Sequence, residues 1–475
     1  MAPNADNSKL RQRFNNDDAV LTGTAVDPAT QTTILQVKDI KSTEVVIDGT
    51  IYDLTSFKHP GGESVLMFGG NDVTVQYKMI HPYHTRHHLE KMKATGKVSD
   101  TESDYIFDTD FEREIKKEVF KIVNRGKEFG TNGYFARAFF YIGLYAVLDF
   151  FWTTNTTSLK MAVAFGVSQA LIGLNVQHDA NHGAASKKHW INDLLGFGAD
   201  AIGGCKWNWM SQHWTHHAFT NHNTRDPDSF NAEPMLIFND YPLGHEARQV
   251  YHKFQSVFFL PVLSFYWLSM VLNPQTFTLK HAGVDSIGIR QDNDFLKSRR
   301  SWAITIRMVY IYLNIARPIM NGVAASGMGS IPISLFHILV MGACESVTLA
   351  ALFALSHNFE QVDRDPTKDA RGDDGKAVCW MKSQVETSST YGSFIAGALT
   401  GGLNFQVEHH LFPRMCSAWY PYIAPTVRKV CKKHGVRYAY YPWVHQNFIS
   451  TVKYLHQAGT GSNWESIMKP LSGDL

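Results

Sequence analysis

At 475 residues and a net charge of +2, the chain is long enough for two or three domains and lacks the basic excess of a nucleic-acid binder. Its five cysteines, Cys205, Cys344, Cys379, Cys416 and Cys431, are odd in number and contain no CxxC pair. That excludes a disulfide framework or a zinc ribbon and fits a reducing, cytosol-facing environment.

Residues 1–31 are polar and without apolar periodicity, which predicts a disordered N-terminus. No apolar core follows their basic residues, so no secretory signal is expected. Residues 32–105 are predicted to form a compact soluble domain. Within them, VVIDGTIYDL (residues 45–54) carries β-branched residues on both sides of Asp48-Gly49, a strong hairpin signal. His59-Pro60-Gly61-Gly62 then opens a turn, and Glu63 begins a helical stretch. Residues 106–135, which include FEREIKKEVFKIV, predict a mixed-charge helical connector near a membrane surface.

Residues 136–450 hold the apolar segments, ahead of a tail at 451–475. Runs at 138–152 and 159–175, joined by the polar TTNTT, predict a tight pair of spans. Runs at 302–325 and 332–355 predict a second pair. Each approaches the ~20 residues that cross a bilayer as a helix. The segment 254–272 is apolar but interrupted by Pro261, and is expected to lie in the interface. Lysine and arginine are dense before the first span (Lys116, Lys117, Arg125, Lys127), after the second (Lys187, Lys188) and before the third (Lys297, Arg299, Arg300). By the positive-inside rule the termini and the 178–300 region face the cytosol.

Three histidine clusters fall on that same face: HDANH (178–182), QHWTHH (212–217) and QVEHH (406–410), with His357 alone one residue beyond a span. His178 and His182, like His213 and His217, are four apart and share a helical face; His216 adds a neighbour. Gln406, His409 and His410 repeat the pattern with an amide in first place. One HxxxH pair is more often solvent-facing than metal-binding, but three on one membrane face point to metal. Eight imidazoles overfill zinc, and the clusters lack the soft ligands copper favours, so two irons use the set best and suit O2 activation. Asp179 and Glu408 are expected to orient imidazoles. Gly173, Gly342, Trp302 and Tyr310, small or aromatic residues of the spans, are candidate walls of an apolar tunnel, and Glu345 is an ionisable group inside a span.

These boxes resemble the three histidine boxes of membrane fatty-acyl desaturases, and the glutamine opening the third resembles the front-end branch. NDVTVQYKMIHPYH (71–84) and NFQVEHHLFPRM (404–415) bring the likeness nearest to Δ5 enzymes of diatoms and other microalgae. The resemblance implies a small α+β cytochrome b5-like domain followed by an all-α multi-span domain of about four membrane helices plus interfacial ones. The ligands it implies for two non-haem irons are His178, His182, His213, His216, His217, His357, His409 and His410, with Gln406 where other branches keep histidine. His59 of the HPGG turn resembles the first axial ligand of b-type haem. The second is assigned to His81 by its spacing from Asp72-Val73-Thr74, with His84, His87 and His88 crowding the same segment. The tryptophan frequent before the module's strand in this family is absent; EVVI stands in its place.

The expected activity is insertion of a cis double bond between an existing one and the carboxyl end of a polyunsaturated acyl chain, Δ5 on C20. O2 is co-substrate, and electrons come from NADH through a separate cytochrome b5 reductase to the haem. The acyl group is carried on CoA or phospholipid, and the expected home is the endoplasmic reticulum bilayer. A Δ6, Δ8, Δ4 or sphingolipid desaturase, a b5-fused lipid hydroxylase and, outside enzymes, a membrane-anchored electron carrier are the alternatives.

Overall fold

The computed structural model describes residues 25–27, 32–81, 86–101, 105–222, 224–273, 293–362, 364 and 378–462. Its N-terminal module is built on the Asp48-Gly49 hairpin. Both turn residues have positive φ (49° and 74°), the backbone twist a two-residue hairpin needs. The turn joins β3 (Glu44–Ile47) to β4 (Thr50–Asp53), with Val46 opposite Ile51. The other strands are β1 (Ala25–Asp27), β2 (Thr32–Leu35), β5 (Asn71–Asp72) and β6 (Lys93–Val98), in the order β1-β2-β6-β4-β3-β5. β1 lies inside the stretch predicted to be disordered. It pairs with β2 in register, which periodicity over three residues could not reveal.

The HPGG turn is closed by the Gly62 amide donating to the His59 carbonyl (3.0 Å). Gly62 has φ +93°, a conformation that favours glycine. A 3-10 turn (Glu63–Phe68) and helix α1 (Thr74–Ile80) follow. The module is docked on the rest of the chain. Glu63 pairs with Arg299 (2.7 Å), and Asn293 donates to the Met67 carbonyl (2.8 Å). Val45, Met67, Phe68 and Tyr77 share one buried cluster with Trp207, Met210 and Leu296.

Two nearly uncharged runs form helices α2 (Asn132–Thr154) and α3 (Leu159–Asn181), each 23 residues long, or ~34 Å against a ~30 Å hydrocarbon core. The helix at Met328–His357, whose main part is α5 (Ile331–His357), is the third element both long and apolar enough to cross. α3 and α5 lie in close contact at Gly166, where an added Cβ would sit 2.1 Å from the Met341 carbonyl oxygen.

The run predicted at 302–325 differs. It belongs to a helix from Asp294–Ile311 through a π turn to Arg317–Ser326, and it does not meet the same apolar threshold. Its buried Arg307 donates to the carbonyls of Gly203 and Gly204. It nonetheless runs the full depth of the bundle. Arg299 touches the haem-type module at one end, and at the other Asn321 donates to the carbonyls of Thr153 and Asn155 at the first hairpin's tip. Three described helices are thus long and apolar enough to cross a membrane, or four if the bent pair at 250–272 counts as one span. The segment predicted to be interfacial is bent by 62° between Val250–Leu263 and Tyr266–Leu272.

Candidate metal centre

Helix α3 does not stop at the end of its apolar run. A π turn (Gly173–Gln177) leads directly into His178–Asn181, and His182 caps it. Such insertions re-aim side chains and recur at functional sites. Helix α4 (Lys206–Ala218) presents His213, His216 and His217; α5 ends on His357; α6 (Gln406–Leu411) presents Gln406, His409 and His410. All are buried.

These residues, spread over more than 230 positions of sequence, assemble into two groups. Ring nitrogens of His178, His182, His213 and His409 lie within 4.8 Å of one another, as do those of His216, His357 and His410. His217 stands between them, its ring 4.4 Å from that of His409 and 4.1 Å from that of His410. Gln406 joins the second group, its Nε2 3.0 Å from His357 Nε2 and 3.3 Å from His410 Nε2. A half-turn of the amide would put the oxygen there instead.

Hydrogen bonds aim several of these rings. Nδ1 of His216 donates to Asp226 (2.9 Å), that of His357 to the Thr387 carbonyl (3.0 Å), and that of His410 to Gln384 Oε1 (2.9 Å). The Tyr420 hydroxyl gives its proton to the Met415 carbonyl (2.8 Å), so its oxygen accepts from Nδ1 of His409 (3.0 Å). Each bond leaves the lone pair on Nε2, the tautomer a metal requires. Both ring nitrogens of His178, Nε2 of His182 and of His409, and Oε1 of Gln406 are buried with no hydrogen-bond partner. Buried polar atoms are rarely left so, and a bound cation satisfies them. The donor set, neutral imidazole with one amide, fits iron.

Four of the anchors, Asp226, Thr387, Gln384 and Tyr420, went unseen in the sequence. The two acids expected in that role serve elsewhere. Asp179 accepts from Ser417 Oγ (2.7 Å) and the Ser417 amide (3.0 Å), while His178 Nδ1 stays 3.6 Å away. Glu408 accepts from Tyr438 (2.6 Å) and Thr390 (3.0 Å).

A cavity of about 310 Å³ opens beside His213, His216 and His357. Asn221, Asp228, Asn231 and Arg364 line its polar part, and Val262, Leu263, Phe265, Ala350 and Phe353 its apolar part. Along α5 the apolar wall runs from His357 to Ala350, seven residues or ~10 Å. The wall residues expected from sequence are not among these. Trp302 is exposed, Gly342 lies under Trp267, and Tyr310 is tied to Trp267 and Gln169. Glu345 is fully buried in α5, and neither carboxylate oxygen has a hydrogen-bond partner.

In the N-terminal module the rings of His59 and His81 lie edge to face, centroids 6.1 Å apart and planes 85° apart. The two imidazoles would hold a b-type haem between them, which would supply one-electron redox change. The Nδ1 edges turn to backbone: His81 Nδ1 donates to the Tyr77 carbonyl (2.9 Å), and His59 Nδ1 lies 3.1 Å from the Gly61 nitrogen. Burial pushes the pKa of His81 down to about 3, keeping the ring neutral. His88 lies further round, its ring 5.8 Å from that of His81; His84 is outside the described residues, and the His87 side chain is not described.

A hydrogen-bonded soluble module docked at the histidine end of a helical membrane bundle defines a membrane oxidoreductase with its own electron-carrying domain. Comparison with known proteins gives the family. Residues 156–442 match the profile "Fatty acid desaturase", and residues 31–100 match "Cytochrome b5-like Heme/Steroid binding domain". The Acyl-lipid (7-3)-desaturase of Rebecca salina is 30% identical over 87% of this chain and 90% of its own length. The chloroplastic Acyl-lipid (7-3)-desaturase of Chlamydomonas reinhardtii is 29% identical over 86% and 80%. The Delta(5) fatty acid desaturase A of Dictyostelium discoideum is 25% identical over 90% and 92%.

The chain belongs to the fatty acid desaturase family, with a cytochrome b5-like domain fused ahead of the desaturase domain. The family carries a di-iron centre, and iron supplies redox change and open coordination positions for O2. The protein's part is to fix the imidazoles and to bury them away from bulk water.

Proposed function

We propose that the chain is a front-end acyl desaturase. It inserts a cis double bond between an existing double bond and the carboxyl end of a polyunsaturated acyl chain, with Δ5 on C20 as its position. His178, His182, His213, His216, His217, His357, His409 and His410 hold two non-haem irons, with Gln406 contributing an amide oxygen to the second. His59 and His81 are the axial ligands of b-type haem in a domain spanning 32–105. NADH, through a separate cytochrome b5 reductase, is the electron source, and O2 the co-substrate. The enzyme resides in the endoplasmic reticulum membrane with its termini and metal centre in the cytosol, and it takes acyl groups on CoA or phospholipid.

The carrying observation is the pair of buried imidazole groups opening onto a cavity with an apolar wall. The Δ5 position is supported by the Dictyostelium relatives of that name, and the (7-3) and (8-3) names of other relatives make neighbouring positions its competitors. The test is expression in yeast fed single polyunsaturated acids, with double bonds located by mass spectrometry. A Δ5 product from C20 acids is expected. No new front-end double bond from any C18, C20 or C22 acid would sink the proposal, and a hydroxylated product would replace it.

A further inference from the structure

One side chain touches both halves of the molecule. Trp214 lies in the second histidine box, yet its indole stacks on Phe68 of the N-terminal module, centroids 6.1 Å apart and planes 24° apart. On its other side it runs parallel to the ring of His182, 6° between planes at 6.5 Å. Its Nε1 donates to the Asn181 carbonyl (3.1 Å), which fixes the indole in the helix–helix corner beside that histidine. Phe68 belongs with Tyr77 to the module's buried core, and the Tyr77 ring lies 4.6 Å from that of His81. The contact is held from outside by the Glu63–Arg299 pair and the Asn293–Met67 bond. An unbroken aromatic line, Phe68–Trp214–His182, thus joins the module's core to the first imidazole group.

We infer that Trp214 is the residue through which electrons pass from the module's haem to the metal pair, an inference that rests on the haem and iron assignments proposed above. Desaturating one acyl chain consumes one O2, two protons and four electrons: two come from the C–H bonds broken and two from ferrous haem, delivered singly, and two waters form. Each delivery turns one ferrous haem ferric and reduces the metal pair by one electron. The indole is not itself oxidised or deprotonated. It supplies continuous π contact across an interface that aliphatic side chains would otherwise fill, and it acts on His182 by contact, not by ligation. Tethering the donor to its acceptor then delivers the module already in register.

The test uses the full chain in nanodiscs, with haem absorbance and iron content measured on every preparation. Ferrous haem is mixed with O2 and acyl substrate in a stopped-flow instrument and its reoxidation followed. Separately, the metal pair is reduced chemically with a small mediator and product counted after a single turnover. In Trp214→Leu, haem reoxidation is expected to slow severalfold, while mediator-driven product stays at the wild-type level. Trp214→Phe restores most of the rate, and Phe68→Leu, which leaves the histidine boxes untouched, reproduces the slowing. Unchanged reoxidation in Trp214→Leu would overturn the relay. So would equal loss in the haem-driven and mediator-driven reactions, which would make Trp214 a support of His182 alone. Wild-type protein lacking haem or iron would overturn the site assignments themselves, and the relay with them.

Discussion

The two imidazole groups are built differently. In the group of His216, His357 and His410, Nδ1 of every ring is anchored, by a carboxylate, a backbone carbonyl and an amide oxygen. In the group of His178, His182, His213 and His409, Tyr420 anchors Nδ1 of His409, but both nitrogens of His178 and Nε2 of His182 are buried without a partner. The first group is held ring by ring through protein hydrogen bonds; the second has fewer such anchors. Metals at the two positions would therefore be held differently by the fold, and an amide oxygen from Gln406 would extend the difference to donor type.

That contrast can be broken residue by residue. The largest effect is expected from removing a ligand: His213→Ala or His410→Ala abolishes desaturation in the yeast assay, with iron lost in purified protein. His59→Ala removes the haem absorbance instead and spares the iron. Asp226→Asn keeps shape but weakens the anchor of His216, and activity or iron affinity is expected to fall by about 10–100-fold. Chelating the iron should raise hydrogen exchange at 178–182 more than at 406–410, since the latter keep their protein partners; equal deprotection would erase the contrast. Gln406→Ala is expected to lower iron occupancy of the second group only, read as partial loss of iron per haem. The smallest effect is expected at Glu408. Glu408→Gln leaves iron content unchanged, because Tyr438 and Thr390, not an imidazole, are its partners.

Periodicity and turn chemistry made the hairpin at Asp48-Gly49, the spans at α2, α3 and α5 and the histidine clusters readable, since each is a local pattern. The anchors of those histidines were not readable. Asp226 sits in the loop TRDPDS, which looks like a solvated turn, and Gln384 and Thr387 are separated from their histidines by long stretches of chain. Asp179 and Glu408 looked like partners only because they adjoin histidines in sequence, while on a helix adjacent residues point apart. The helix through Arg307 shows the same limit. Its charge lowers its apolarity below that of its neighbours, and only its contacts at both ends of the bundle reveal its depth.

Gly166 has a consequence far from where it sits. It lies twelve residues before His178, and Met341, its contact, lies sixteen before His357, distances of ~18 and ~24 Å along their helices. The crossing works as a fulcrum: a methyl group added there would prise two long arms apart, and their far ends carry a ligand candidate for each metal. The spacing of the two imidazole groups is thus set in part by a missing side chain far along the helices from either, where no chemistry happens.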